Sequence, residues 1–155
     1  MNGFQKSFPV TDYDLAATLT SGQAFRWKFR KDGWESVIEA RWVRLRQNKN
    51  EIVAESAAPV SDLGWLIDYL QLDANLPEII STFPDDKPMR AAVNSCRGLR
   101  LLRQNPWECL ASFILSSTKQ IVQIQQIVGL LCERFGERVV VPDGHEPVFA
   151  FPTFS

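Results

Sequence analysis

The sequence predicts an α+β fold in which an antiparallel sheet comes first and helices follow. Between Phe25 and about Glu55, apolar and polar residues alternate with a period of two, as they do in strands. After Pro59, apolar residues recur at intervals of three and four, as they do on one face of a helix. The chain has 155 residues, of which 45% are hydrophobic, so it is long enough to bury one substantial core.

Three or four antiparallel strands are expected in the first region. Asp32-Gly33 is a two-residue hairpin signal, and residues 48–50 (Asn-Lys-Asn) mark a second turn. In the segment RWVRLRQ, the alternation places Val43 and Leu45 on one face of a strand. The residues of the opposite face are Trp42, Arg44 and Arg46. We therefore expect a sheet with one covered side.

Three amphipathic helices follow, and their apolar stripes are all expected to be core. The first stripe lies behind Ser61 as N-cap, and the other two each begin near a proline. The stripes consist of Leu63, Leu66, Ile67 and Leu70; of Leu76, Ile79, Ile80 and Phe83; and of Met89, Ala92, Val93 and Cys96. The domain boundary is expected near Arg97, which divides the chain into residues 1–97 and 98–155.

The segment NPWECLASFILSS begins with Asn105 as N-cap and Pro106 at the first helical position, and it continues almost wholly apolar. A helix that is apolar on all sides is expected inside a bundle. In the next helix, Ser117 and Gln120 match the S-x-x-Q capping box, and Gly136 ends the helix. Its expected buried stripe is Ile121, Ile124, Val128, Leu131 and Phe135. The remaining tail shows no amphipathic element of its own.

Composition excludes several classes of protein. The longest apolar stretch, CLASFIL, is far shorter than the roughly 20 residues that cross a bilayer, and the N-terminus has no signal-peptide pattern. We expect an intracellular protein, in the cytoplasm or nucleoid if it is bacterial, with no membrane contact. Cys96, Cys109 and Cys132 have no CxxC spacing, so buried free thiols are expected, with no metal site and no cofactor.

Two features leave a structural and a functional interpretation open. Residues 26–49 hold eight basic and three acidic residues, which fits either a solvated sheet face or a nucleic-acid surface. The helix that follows Ser117 exposes polar residues, and its first amide groups with Lys119 beside them can bind a DNA phosphate. An ordinary capped surface helix has the same pattern. The predicted exposed residues are Lys119, Gln123, Gln125 and Gln126.

Three motifs, in this order, resemble the 8-oxoguanine DNA glycosylase family of the helix-hairpin-helix superfamily. They are SGQAFRW, GLRLLRQNPWECLASFILSSTKQIVQI, and LCERFG followed by FPT, and the resemblance runs from about Leu15 to Phe154. It implies a sheet-and-helix domain like the TATA-binding-protein fold, followed by the start of an all-helical glycosylase bundle. It also implies double-stranded damaged DNA as partner and a monomer for the full-length protein.

The resemblance gives a role to Gly22 within SGQ. A glycosylase extrudes its target base from the stack and recognises the exposed edge. 8-Oxoguanine carries a hydrogen on N7 where guanine has a lone pair, and in the family the carbonyl of this glycine accepts that hydrogen. A plain turn glycine is the alternative. The residues Gln23, Phe25, Arg26 and Trp27 are expected to set the loop and pack the domain junction, and Arg26 can pair there with an acidic residue.

The segment SSTKQIVQI departs from the family pattern. Animal and yeast members have an asparagine after the two serines and an arginine five residues later, and both recognise the orphaned cytosine. Thr118 and Gln123 hold these places here. Glutamine lacks the bidentate charged contact of arginine, so weaker or differently built selectivity for cytosine is expected. The expected DNA-binding residues are Thr118, Lys119, Gln120 and Gln123.

The family's chemistry uses a lysine that forms a Schiff base with the sugar and an aspartate that activates it. Both are expected beyond residue 155, since no lysine follows Lys119 and no aspartate follows Asp143. We therefore expect base excision and abasic-site lyase activity in the full-length protein, and no catalysis by these 155 residues. Two alternatives stay open: a non-enzymatic DNA-binding or scaffold module, and a small-ligand or protein-interaction domain.

Overall fold

The computed structural model describes residues 3–57, 63–117 and 119–153. Five antiparallel strands form one sheet in the order β1-β5-β4-β3-β2, and a two-stranded hairpin, β6-β7, lies near the C-terminus. The strands are β1 Phe4–Pro9, β2 Lys28–Arg30, β3 Gly33–Ile38, β4 Arg41–Asn48, β5 Glu51–Ser56, β6 Arg138–Val139 and β7 Val148–Phe149. The helices are α1 Leu15–Thr20, α2 Gly64–Leu70, α3 Leu76–Ser81, α4 Lys87–Ser95, α5 Pro106–Ser116 and α6 Ile121–Phe135. The predicted order of sheet and helices is confirmed.

The predicted strand region contains four strands, β2 to β5, and a fifth strand lies outside it. Strand β1 precedes α1 and pairs with β5, from Phe4 opposite Ser56 to Pro9 opposite Glu51. Sequence alternation missed β1 because only Phe8 of this edge strand is buried. The first hairpin turn is also shifted by one residue: Arg30 pairs with Gly33, so Lys31 and Asp32 form the turn.

Both faces of the sheet are covered, so the prediction of one covered side was wrong. Val43 and Leu45 face the main core, which α1 and α2 complete. Trp42 is only 2% exposed on the other face, where it packs with Val139 and Ala150 of the C-terminal segment. The C-terminal tail, whose sequence shows no amphipathic pattern, therefore covers the second face of the sheet.

Most of the basic residues in the stretch 26–49 form ion pairs within the folded chain. Five arginines of residues 26–49 form ion pairs, and three of the carboxylates come from outside that stretch. The pairs are Arg26–Glu108 at 3.4 Å, Arg30–Glu146 at 2.7 Å, Arg41–Glu39 at 2.8 Å, Arg44 with Glu35 and Glu55, and Arg46–Asp32 at 3.0 Å. Lys28, Lys31 and Lys49 have no ion pair within the described residues.

The first apolar stripe is core, but the second and third are not. Leu63, Leu66 and Leu70 are fully buried, whereas α3 and α4 have no buried residue. Ser61 lies outside the described residues, and Leu63 is the N-cap of α2. Asn75 and Asp86 cap α3 and α4 with their side chains. The periodicity therefore identified these helices correctly but not what covers their apolar side.

Helix α5 begins as predicted and is exposed rather than buried. The Asn105 side chain accepts hydrogen bonds from the first turn, which confirms the N-cap. Among the residues of α5 only Ser112 is buried, and Phe113 is 72% exposed. An apolar helix inside a bundle was the expectation, and among the described residues no such bundle surrounds it.

The start of α6 lies three residues later than predicted. Ser117 is the C-cap of α5, and Gln120 is the N-cap of α6. The capping box therefore pairs Gln120 with Gln123, whose Oε1 accepts the Gln120 N–H at 3.1 Å. The buried stripe of α6 is Ile124, Val128 and Cys132, while Ile121 and Phe135 are exposed. Gly136 is the C-cap, as predicted.

The cysteines differ in burial. Cys132 is buried as predicted, but Cys96 and Cys109 are exposed, because they lie on the uncovered helices α4 and α5 or their ends. All three are free thiols. Within the described part of the chain, no helix has the length and apolar character needed to cross a membrane.

Candidate functional site

The loop between α1 and β2 presents the backbone of Gly22. Gly22 has a φ of +84°, a conformation that residues with a Cβ rarely adopt, and it is partly exposed. A Cβ built there would have one neighbour within 4 Å, the Cδ1 of Ile121 at 3.9 Å. No group of residues 3–57, 63–117 or 119–153 donates a hydrogen bond to the Gly22 carbonyl. The peptide is therefore uncovered and lies beside the start of α6.

The side chain of Gln23 fastens this loop to the segment that leads into α5. Its Nε2 lies 2.9 Å from the Arg100 carbonyl and 3.1 Å from that of Thr18, and its Oε1 accepts the Leu102 N–H at 2.8 Å. The Gln104 side chain donates in return to the Gln23 carbonyl. The three bonds to residues 100–104 join positions about 80 residues apart, and they fix the backbone on the C-terminal side of Gly22.

Arg26 lies in a buried network, as the sequence suggested. Its guanidinium contacts Glu108 at 3.4 Å and the Phe149 carbonyl, and the two side chains of the ion pair are 11% and 19% exposed. Burial raises the pKa of the Glu108 carboxyl, and the positive charge of Arg26 only partly opposes that rise. Arg26 thus ties the sheet to α5 and to the C-terminal hairpin.

Phe25 and Trp27 pack on opposite sides of this junction. Phe25 contacts the apolar cluster of α6 that contains Ile124 and Val128. Trp27 is buried in the main core, where its Nε1 donates to the Tyr69 hydroxyl at 3.2 Å. Burial raises the pKa of Tyr69, so its hydroxyl stays protonated. The expected packing roles of both aromatic residues are confirmed.

The start of α6 is the second part of the site. Lys119, Gln120 and Gln123 are all exposed, and Ile121 brings this turn next to Gly22. Thr118, the fourth predicted DNA-binding residue, lies outside the described residues. Among the described residues no cluster of His, Cys, Asp and Glu is suited to hold a metal ion.

Sequence reasoning missed the segment 100–104 as a support of the loop. The Arg100 and Leu102 backbone groups and the Gln104 side chain form its contacts with Gln23. Because these contacts link positions far apart in the chain, no local spacing in the sequence indicates them.

The comparisons with known proteins agree with this arrangement. A family model described as the N-terminal domain of 8-oxoguanine DNA glycosylase matches residues 7–110, more than half of the chain. The chain belongs to the 8-oxoguanine DNA glycosylase family. An N-glycosylase/DNA lyase of Saccharomyces cerevisiae is 34% identical over 158 residues, covering 90% of this chain and 40% of that protein. An Arabidopsis thaliana N-glycosylase/DNA lyase, OGG1, is 34% identical over 142 residues, covering 83% of this chain and 38% of that protein.

Solved structures give the same result for the fold. A structure of MBOgg1 in complex with a low-affinity DNA ligand has a TM-score of 0.87 at 28% identity, covering 98% of this chain and 53% of that one. The 8-oxoguanine glycosylase/lyase of Clostridium acetobutylicum, in complex with double-stranded DNA containing cytosine opposite 8-oxoguanine, has a TM-score of 0.83 at 22% identity. It covers 99% of this chain and 55% of that one, and it shows the fold alone. The chain spans about 40% of the length of the curated relatives.

Proposed function

We propose that this protein acts in base-excision repair, by flipping 8-oxoguanine out of duplex DNA and excising it, with abasic-site lyase activity in the complete protein. The observation that carries the proposal is the uncovered Gly22 peptide beside the start of α6. A base that leaves the stack presents its edge to a protein pocket. The junction of sheet and helices offers a backbone carbonyl for such an edge.

The Gly22 carbonyl distinguishes 8-oxoguanine from guanine because its interaction with N7 is attractive for the first base and repulsive for the second. It accepts a hydrogen bond from the N7–H of 8-oxoguanine, and it opposes the N7 lone pair of guanine. A hydrogen bond made only by the correct base contributes about 1–3 kcal/mol to discrimination. The bonds of Gln23 support this role, because they hold the loop in one position before the base arrives.

The start of α6 contacts the DNA around the extruded base. Lys119 and the first amide groups of the helix bind phosphate. Thr118 and Gln123 occupy the sequence positions at which family members recognise the orphaned base, and Lys119 and Gln120 share that role. Gln123 accepts the Gln120 N–H through its Oε1, which leaves its amide nitrogen as the group that can donate to a base edge. Selectivity for cytosine opposite the lesion is therefore weaker than an arginine would give.

The two parts of the chain on either side of the proposed boundary near Arg97 have different roles. Residues 1–97 supply the lesion-discriminating loop, and residues 98–155 begin the helical domain. The nucleophilic lysine and the aspartate come from residues outside these 155, which do not excise bases alone. The exposed apolar residues of α5 support this assignment, since a further helical part would cover them.

The test is Gly22→Ala in the complete protein, with binding to duplexes that contain 8-oxoguanine or guanine at one position. We expect loss of the preference for the lesion, with general duplex binding retained and still falling linearly in log salt. Gly144→Ala is the matched control, because Gly144 also has a positive φ, +79°, and no atom within 4 Å of a built Cβ. Equal selectivity in Gly22→Ala and the unmodified protein would leave Gly22 a turn residue only.

A further inference from the structure

A cavity of about 380 Å³ lies between the second face of the sheet and α6. Its walls come from β2 and the following turn, from strands β3 and β4, from one side of α6, and from the loop that leads into β7. The volume falls within the usual range for small-molecule sites. Gly129 of α6 lines it, about 12 Å along the helix axis from Ile121, the neighbour of Gly22. The cavity is thus separate from the proposed lesion surface.

Gly129 leaves a gap in the helical wall of this cavity. Glycine is, after proline, the least favourable residue in the interior of a helix. A Cβ built on Gly129 has no other atom within 4 Å, so packing within the described chain does not require a glycine there. The missing side chain instead widens the cavity.

The inner walls offer apolar surface and one polar group. Phe25, Trp42 and Phe149 contribute aromatic rings. Ser36 also lines the cavity, and no side-chain hydrogen bond joins it to another residue of the described part of the chain. Its hydroxyl is not sealed in the interior but open to the cavity, so it can bond to a ligand atom there.

The charges of the cavity wall are mainly positive. Five basic and three acidic residues line it, and the buried Arg44 and Glu35 neutralise each other. Arg30 and Glu146 form an exposed bridge at 2.7 Å between β2 and the loop before β7. Exposed bridges contribute little to stability, so this one can open and close over a ligand. The remaining carboxylate of the wall is Glu133 on α6.

Two lysines at the edge of this wall form no ion pair with any residue of the described ranges: Lys28 on β2 and Lys31 in its turn. The charge of Lys28 acts at longer range on Glu146, whose close partner is Arg30. Both lysines are exposed, and so they lie at the outer side of the cavity rather than at its floor. A ligand that fits this site has an anionic group, which lies at the lysines of the outer side, and a ring, which lies against the aromatic residues of the inner wall.

We propose that this cavity binds a small anion that carries a planar ring, of the nucleoside monophosphate class. The ring lies against the apolar wall of Phe25, Trp42 and Phe149, and a ring substituent bonds to Ser36. The phosphate lies at Lys28 and Lys31. This site does not depend on lesion recognition by Gly22, and it adds a second, small-molecule function to the domain.

Calorimetric titration of the complete protein tests the proposal with three probes: guanosine 5′-monophosphate, guanosine and inorganic phosphate. We expect the nucleotide to bind at least about tenfold more tightly than either part alone, since both the ring and the phosphate contribute. Absence of nucleotide binding, or equal binding of inorganic phosphate, would overturn the proposal.

Two glycine substitutions test whether the nucleotide binds in this cavity. Gly129→Leu fills the gap and should weaken nucleotide binding at least about tenfold. Gly64→Leu is the matched control, because Gly64 also lies in a helix with nothing within 4 Å of a built Cβ, and it does not line the cavity. Circular dichroism and thermal melting verify that both variants fold. Nucleotide binding that survives Gly129→Leu, or that is lost in Gly22→Ala instead, would contradict the assignment.

A double variant, Lys28→Gln with Lys31→Gln, tests the phosphate end. Nucleotide affinity should fall to that of guanosine, while guanosine binding stays unchanged. An unchanged nucleotide affinity would show that the phosphate does not lie at these lysines.

Discussion

The sheet and the helices of this protein differ in how completely they bury their apolar residues. On the sheet, strands β3 and β4 have buried residues on both faces, and even the guanidinium of Arg44 is enclosed. On α5, Leu110, Phe113 and Ile114 are all more than half exposed. The apolar area of the sheet contributes to the stability of this chain, whereas that of α5 remains in contact with water. The loop with Gly22 lies where the two regions meet.

The largest difference between the regions is expected for buried charge. Arg44 contacts Glu35 at 2.8 Å and Glu55 at 3.3 Å and lies 2.8 Å from His145. Burial opposes its positive charge, but the two carboxylates outweigh that effect and raise its pKa. Arg44→Met leaves both carboxylates without their cation, and we expect a loss of about 3–5 kcal/mol in urea-induced unfolding.

The control for Arg44 is Arg90→Met on α4. Arg90 also forms an ion pair, with Asp85, but its side chain is 59% exposed. We expect a change within about 0.5 kcal/mol for this variant. Comparable losses for the two arginines would remove the distinction between the regions.

A pair of leucines tests the same difference without charge. Leu66 of α2 is fully buried, and Leu66→Ala should cost about 2–5 kcal/mol because it leaves a cavity. Leu110 of α5 is 53% exposed, and Leu110→Ala should cost no more than about 0.5 kcal/mol in this chain. Chemical denaturation of both variants measures the contrast. A large loss for Leu110→Ala would mean that α5 is covered in solution.

We expect an intermediate loss of stability when the hydrogen bonds that hold the Gly22 loop are removed. Gln23→Leu leaves the Leu102 N–H and the Arg100 carbonyl without their partner, at a cost of about 1–3 kcal/mol. Amide exchange should rise at Leu102 in particular. Gln126→Leu, on the exposed side of α6, is the control. Unchanged protection at Leu102 would show that other contacts hold the loop.

The smallest expected effect is a change in pH dependence at Glu108. Its folded-state pKa is raised by burial, so the folded protein holds the proton more tightly than the unfolded chain does. Stability from this group is therefore present below the unfolded pKa, about 4.3, and is lost as pH rises through the folded pKa. Glu108→Gln removes that loss. The variant should gain stability relative to the unmodified protein between about pH 4 and pH 7, measured by unfolding at each pH, and a constant difference would contradict this.

Local signals in the sequence predicted the strands β2 to β5 and the Asn105 cap, whereas the pairing of Arg26 with an acidic residue was expected from the family resemblance. Strand alternation and capping depend on neighbours in the chain, so these features are visible in sequence. The same approach treated the stripes of α3 and α4 as core, because periodicity identifies an apolar face and not the element that covers it. The covering of Trp42 by the C-terminal segment and the hydrogen bonds of Gln23 are contacts between segments far apart in the chain. No local residue spacing indicates such contacts.

The central claim is that the Gly22 carbonyl discriminates bases by what N7 carries. The most direct measurement is the affinity of the complete protein for three duplexes that differ only at the target base: 8-oxoguanine, 7-deazaguanine and guanine. 8-Oxoguanine donates a hydrogen bond at this position, 7-deazaguanine neither donates nor accepts, and guanine presents a lone pair. We predict that affinity falls in that order. An affinity for 7-deazaguanine that equals or lies below that for guanine would contradict the claim.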